Sequence, residues 1–185
     1  MTKIAGISGS LRKGSFNTSL LHYIAEHNLP EWQIDTLGLE DIPLFNADQE
    51  EGGDPKAAAD FKQAISRADG LIVVTPEYSH GMPGVLKNAL DWAASVTNEN
   101  VLEEKPAFVL GASPSPLGTA FAQAQVKQTL AAAGAYVLQQ PEVYIGTVQK
   151  KLDENGKLHD EKTAEMIKQS LEAFQEWIQA MQPGS

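Results

Sequence analysis

Lys3-Ile4-Ala5-Gly6-Ile7-Ser8-Gly9-Ser10-Leu11-Arg12-Lys13-Gly14-Ser15-Phe16-Asn17 is the stretch on which the reading of the fold turns. It leads from a short apolar run, Ile4–Ile7, into a segment with helical spacing of apolar residues at Leu20, Leu21, Ile24 and Ala25. A strand, a glycine- and hydroxyl-rich loop and a helix in that order aim the loop's backbone N–H groups and the positive end of the helix dipole at one point, an anion site. Arg12 and Lys13 add full positive charge there, and Ser8, Ser10, Ser15 and Asn17 add side-chain donors. An ordinary turn with Ser15 or Asn17 as helix cap is the plainer alternative. Gly14 is followed by Ser15-Phe16 rather than Lys-Ser/Thr, and G-x-G-x-x-G is absent, so neither a nucleoside-triphosphate loop nor the usual dinucleotide fingerprint fits.

Working outward, β-rich runs alternate with helical patterns, the mark of a parallel sheet covered by helices. Strands are expected at Lys3–Ser8, Gln33–Leu37, Gly70–Thr75, Pro106–Gly111 and Tyr136–Leu138, the last resuming after Pro141 at Val143–Ile145. Helices are expected at Ser15–Asn28, at Pro55–Ala68, from Pro83 or Gly84 through Ala93, at Thr119–Ala133 and at Asp160–Met181. Leu71–Val74 and Ala107–Leu110 are continuously apolar, as central strands covered on both faces require. Asp41–Asp54 and Gln149–Gly156 read as loops, and Pro183–Ser185 as a frayed end. The expected fold is α/β: a three-layer, doubly wound, five-stranded parallel sheet with helices on both faces, in one domain spanning 1–185. Ligands of such sheets bind beyond the strands' C-terminal ends, where strand order reverses. That brings together Ser8–Asn17, Pro76–Pro83 and Ala112–Gly118.

With 185 residues and 42% hydrophobic content the chain is long enough and apolar enough for a well-packed core. A net charge of −10 argues against general affinity for nucleic acid or anionic membranes. No apolar run approaches bilayer length and no signal-peptide pattern follows Met1, so a cytoplasmic protein without membrane insertion is expected. There is no cysteine, which excludes disulfides, thiolate metal sites and a cysteine nucleophile. The four histidines, His22, His27, His80 and His159, have no metal-ligand spacing. A monophosphate held by serines, an asparagine and one arginine suits a flavin mononucleotide. The second loop, Pro76-Glu77-Tyr78-Ser79-His80-Gly81-Met82-Pro83-Gly84, is stiffened by prolines and offers Tyr78 and His80 as planar groups beside a flat ligand.

These two motifs, the second continued by Val85-Leu86-Lys87-Asn88-Ala89-Leu90-Asp91-Trp92, resemble those of the NAD(P)H-dependent FMN reductase family. That family includes quinone, azo-dye and chromate reductases on a flavodoxin-like fold. The resemblance implies FMN as cofactor, with Ser10, Arg12, Ser15, Phe16 and Asn17 on its phosphate. Pro76, Glu77, Tyr78, Ser79, His80 and Gly81 would lie along the isoalloxazine ring, largely through backbone groups, with Ser113 and Gly118 on the far wall. NAD(P)H is then a co-substrate that gives a hydride to the flavin, and a small-molecule acceptor (a quinone, flavin or azo compound) leaves with the electrons. No side-chain acid or base and no metal is implied. Lys87, Asn88, Asp91 and Trp92 would sit on the helix that in the family often packs against a second subunit, as in a homodimer or homotetramer. Two positions depart from the pattern: Ser79 stands where asparagine is usual, and Leu117-Gly118-Thr119-Ala120-Phe121 lacks the second glycine and the arginine common before this helix. The competing readings are a flavodoxin-like electron carrier without its own NAD(P)H activity, and a non-enzymatic binding module.

Overall fold

The computed structural model describes residues 1–181, so the frayed end expected at Pro183–Ser185 lies outside the described residues. Five strand positions run parallel in the order β2-β1-β3-β4-β5: β1 (Thr2–Ser8), β2 (Trp32–Leu37), β3 (Gly70–Val74), β4 (Pro106–Ala112) and β5 (Tyr136–Val137). A further segment, β6 (Val143–Ile145), pairs with the second half of β4, so β5 and β6 together flank that strand. Pro141 lies between them and has no N–H for the ladder, which accounts for the interruption. The order 2-1-3-4-5 is that of the flavodoxin-like doubly wound fold, as the resemblance implied.

Strand alternation sorts the core into two layers. Ile4, Ile72, Val74, Phe108 and Leu110 face one cluster, covered by α1 (Phe16–Glu26) and α6 (Glu161–Met181). Ala5, Ile7, Leu71, Val73, Ala107 and Val109 face the other, beneath α3 (Lys56–Ser66), α4 (Gly84–Ala94) and α5 (Ala120–Ala132). Helix α6 buries Ile167, Leu171, Phe174 and Ile178 at the 4-3-4 spacing of one helical face. Phe174 stands against Phe108, ring centroids 5.7 Å apart, and edge-on to Trp32 at 6.0 Å.

The segment read as a loop at 41–54 contains a four-residue helix, α2 (Ala47–Glu50), capped by the Asn46 side chain. The segment is fastened rather than free. Pro43 O accepts bonds from Asn88 Nδ2 and Trp92 Nε1, both at 2.8 Å, and Asn88 Oδ1 accepts from the Phe45 N–H at 2.7 Å. Asn88 and Trp92 are thus used within the chain, Trp92 being fully buried, while Lys87 and Asp91 pair with each other at 2.6 Å on the surface.

Candidate active site

Strand pairing decides where the loops meet. Ser8 of β1 lies beside Val74 of β3, and the next residue, Gly9, donates its N–H to Val74 O at 3.0 Å. Thr75 donates to Leu110 O of β4 at 2.9 Å, and Ser113 to Ile145 O at 3.0 Å. The loops after β1, β3 and β4 therefore leave one edge of the sheet side by side, with the reversal of strand order between β2 and β3 at β1. A Cβ on Gly9 would come within 3.1 Å of Leu86 and 3.2 Å of Pro76, so a larger residue there would push the first two loops apart.

Between them is a cleft of about 290 Å³ lined by the expected residues Ser10, Arg12, Ser15, Phe16, Asn17, Pro76, Glu77, Tyr78 and Ser113, together with Ala112 and Pro114. Its lining carries two kinds of chemistry. Ser15 caps α1, its hydroxyl accepting from the Thr18 N–H at 3.3 Å. Among the described residues the N–H groups of Phe16 and Asn17, in the first turn of α1, have no protein acceptor. Ser10 Oγ accepts from the Arg12 N–H at 3.3 Å, and the Arg12 guanidinium carbon lies 5.3 Å from the centre of the Phe16 ring, a cation–π contact. Free helix N–H groups, hydroxyls and a guanidinium suit an anion. The lining also includes Pro76, Tyr78, Ala112 and Pro114, which offer apolar and planar groups. The pair fits FMN, a planar ring carried on a phosphate.

Asn17 has a further task besides the one its sequence position suggested. Its side chain is almost fully buried and bridges to β4: Nδ2 donates to Ala112 O at 3.0 Å and Oδ1 accepts from the Ala112 N–H at 2.9 Å. Its backbone N–H and the second Nδ2 hydrogen are not used by this bridge. Ser8 is likewise engaged, its hydroxyl 2.8 Å from that of Thr18.

Ser79, His80 and Gly81 do not line the cleft but form a turn beside it. Tyr78 and Gly81 exchange backbone hydrogen bonds, both at 3.0 Å, around Ser79 and His80, whose φ angles are +50° and +59°. This is a two-residue hairpin of the I′ kind, which needs left-handed backbone at both central positions. Asparagine and glycine accept that conformation readily and serine less so, which gives the Ser79 departure a backbone meaning. Tyr78 is 54% exposed, so it does not cap the core.

Gly118 also stands apart from the cleft lining. At φ +58° it is packed against β6, where a Cβ would sit 2.5 Å from the Tyr144 carbonyl carbon. Its place is a matter of chain packing. Ser113 lines the cleft, yet its hydroxyl donates to Ser115 O at 3.1 Å. Nearby, Tyr144 bonds to Glu142 at 2.6 Å, and Lys127 lies 3.4 Å from the same carboxylate oxygen. Burial, then the Glu142 bond and charge, push the Tyr144 hydroxyl up to about 12. The bond from the Tyr144 hydroxyl, against an opposing effect of burial and with help from Lys127, holds Glu142 below its usual value.

Ala112 and Pro114, which the sequence reading placed at the site only as part of the loop Ala112–Gly118, both line the cleft. Sequence reasoning passed over a second task for Glu77, whose Oε2 accepts the Ala122 N–H of α5 at 3.0 Å. No local pattern joins residues 77 and 122.

Comparison with known proteins agrees with this geometry. The sequence profile of the NADPH-dependent FMN reductases matches residues 2–150. An NAD(P)H-dependent FMN reductase of Pseudomonas aeruginosa is 42% identical over 179 residues, 97% of this chain and 96% of that protein. A 2-hydroxy-1,4-benzoquinone reductase of a Burkholderia species is 38% identical over 176 residues, covering 95% and 96%. Among solved structures, FerB, a flavoenzyme NAD(P)H:(acceptor) oxidoreductase of Paracoccus denitrificans, superposes with a TM-score of 0.90 at 33% identity, over 98% of this chain and 99% of that one. With its loop cluster at the β1 reversal and its sequence matched almost end to end, the chain belongs to the NADPH-dependent FMN reductase family.

Proposed function

We propose that the chain is a single FMN-binding domain acting as an NAD(P)H oxidoreductase, with a quinone, flavin, azo compound or similar small molecule as acceptor. The observation that carries this is a cleft that joins unpartnered helix N–H groups and Arg12 to the apolar and planar residues Pro76, Tyr78, Ala112 and Pro114. For a quinone the balance is NAD(P)H + H⁺ + quinone → NAD(P)⁺ + hydroquinone. Bound FMN would supply the redox chemistry, accepting a hydride from the nicotinamide and releasing the electrons to the acceptor.

The chain's own residues would bind and orient. The Phe16 and Asn17 N–H groups, the Ser10 and Ser15 hydroxyls and Arg12 would hold the phosphate. The backbone from Pro76 to Gly81 would lie along one edge of the ring, and Ala112, Ser113 and Pro114 along the far side. Asn17 supports both sides by tying α1 to the end of β4. No side chain is assigned a proton-transfer role.

A homodimer or homotetramer belongs to the proposal. The exposed Leu44 and Phe45, the latter edge-on to Trp92 of α4, support it, since large apolar side chains left at a surface are characteristic of interfaces. A cytoplasmic setting, where NAD(P)H is supplied, completes it; no helix among the described residues is long and apolar enough to cross a membrane.

The test is anaerobic mixing of the FMN-loaded protein with NADH and, separately, NADPH. Bleaching of the yellow absorbance within seconds, followed by return of colour when a quinone is added, is the expected result. Colour that persists with both nucleotides would leave an electron carrier instead, and a protein that retains no FMN would refute the cofactor assignment.

A further inference from the structure

One side chain ties the turn beside the cleft to the helix across from it. Glu77 is mostly buried, its side chain 12% exposed, and its two carboxylate oxygens serve different elements. Oε2 accepts the Ala122 N–H at 3.0 Å, in the first turn of α5. Oε1 lies 3.5 Å from His80 Nδ1 on the Tyr78–Gly81 turn. Helix α5 needs such a partner. Its N-cap, Thr119, has φ +67° and makes no capping bond with its side chain, so a carboxylate from another loop takes the place of a local cap. A second tie runs parallel to the first: the Met82 N–H donates to Gln125 Oε1 of α5 at 3.0 Å.

Phe121 is the residue next to that cap. Its ring stands edge-on to the His80 imidazole, centroids 5.1 Å apart and planes at 79°. Neither ring is buried by this contact: Phe121 is 49% exposed and the His80 side chain 76%. Tyr78, 54% exposed on the same turn, continues the aromatic surface into the cleft that it lines with Pro76. Two rings in edge-to-face contact on the turn beside the cleft, both left open to solvent, form a platform for a third ring. Stacked and edge-to-face contacts reward a planar aromatic partner and give nothing comparable to a compact ion.

We propose that Phe121 is a specificity-determining residue and Glu77 its positioning residue. Through the Ala122 N–H and His80, the Glu77 carboxylate sets the His80–Phe121 pair as the wall against which a planar aromatic acceptor of the quinone class stacks. This rests on the oxidoreductase reading above and deepens it. The wall selects among acceptors and has no part in holding the phosphate end.

The test uses FMN-loaded wild type, Phe121→Ala, Phe121→Tyr, Glu77→Ala and the double variant Glu77→Ala/Phe121→Ala, with NAD(P)H as donor. The two acceptors are 1,4-naphthoquinone, planar and aromatic, and ferricyanide, compact and octahedral. For Phe121→Ala the KM for naphthoquinone is expected to rise about 3- to 10-fold, the loss of one ring–ring contact, with kcat little changed. Ferricyanide kinetics and FMN affinity should stay at wild-type values, and Phe121→Tyr should restore the quinone KM. Glu77→Ala should raise the same KM, and the double variant should be no worse than the more impaired single one, because both act on one wall. In FMN-free protein the His80 Hε1 proton resonance should move in Phe121→Ala and in Glu77→Ala, reporting the lost ring contact without turnover. Unchanged naphthoquinone KM in Phe121→Ala, with ferricyanide still reduced, would overturn the wall and leave the oxidoreductase reading standing. Additive effects in the double variant would overturn the positioning role of Glu77. Wild-type protein that reduces neither acceptor would overturn the oxidoreductase reading and the wall with it.

Discussion

Replacing Asn17 by leucine removes a clamp that the structure assigns to stability. The side chain spans 95 residues of sequence to bond both polar atoms of the Ala112 peptide, and both partners are buried. Leucine is close in size and leaves little cavity, so the cost is polar. The Ala112 N–H and C=O would each be stranded without a partner, at about 1–3 kcal/mol apiece, or about 2–6 kcal/mol together. That is a large part of the roughly 5–15 kcal/mol available to an ordinary domain. It corresponds to a fall in Tm of about 4–24 °C at about 2–4 °C per kcal/mol for a chain of this length. Urea unfolding of FMN-free protein, followed by tryptophan fluorescence, measures it without the contribution of bound ligand. A loss below 1 kcal/mol in Asn17→Leu, with an unchanged urea slope, would refute the clamp.

Four further outcomes are expected. Arg12→Ala should weaken FMN binding by about 1–3 kcal/mol, the worth of a charge-assisted bond, and unchanged affinity by titration calorimetry would count against the phosphate site. Ser79→Asn, at φ +50° in the turn, should raise stability by about 0.5–1 kcal/mol because asparagine tolerates left-handed backbone; thermal unfolding at a lower Tm would contradict the turn geometry. Burial pushes the Asp54 carboxyl up, but bonds from Lys62 and Asn98 and the Lys62 charge outweigh it and hold the group below its usual value. Its stabilisation is therefore complete above the unfolded pKa of about 3.9 and is lost as pH falls through the folded one. The stability gap between wild type and Asp54→Asn should accordingly shrink below pH ~4, and a gap constant from pH 7 to pH 3 would exclude the pairing. Alkaline titration at 295 nm should show one tyrosine ionising at about 12, and Tyr144→Phe should remove that component.

The parallel α/β architecture was legible because its signals are local. Leu71–Val74 and Ala107–Leu110 are apolar at every position, which only a strand covered on both faces tolerates. The 4-3-4 stripe of α6 and the serine cap of α1 were readable for the same reason. Less local features escaped. The fastening of Pro43 and Phe45, just before α2, to Asn88 and Trp92 depends on contacts across more than forty residues. The split of β5 from β6 was visible at Pro141, but the partner that β6 would take was not.

The proposed phosphate end was legible in Gly9–Asn17 because one turn of chain carries its own donors, cap and charges. The sequence by itself determined that a glycine- and hydroxyl-rich loop with two cations follows β1, that its companions follow β3 and β4, and to which family the motifs are similar. Only the tertiary structure decided which polar atoms are left over for a ligand. A side chain such as Asn17 or Glu77 has a fixed number of hydrogen bonds to give or accept. Ala112 and Ala122 claim them first, across 95 and 45 residues of sequence. Residue type states what a group is able to bond; packing determines what it has already bonded.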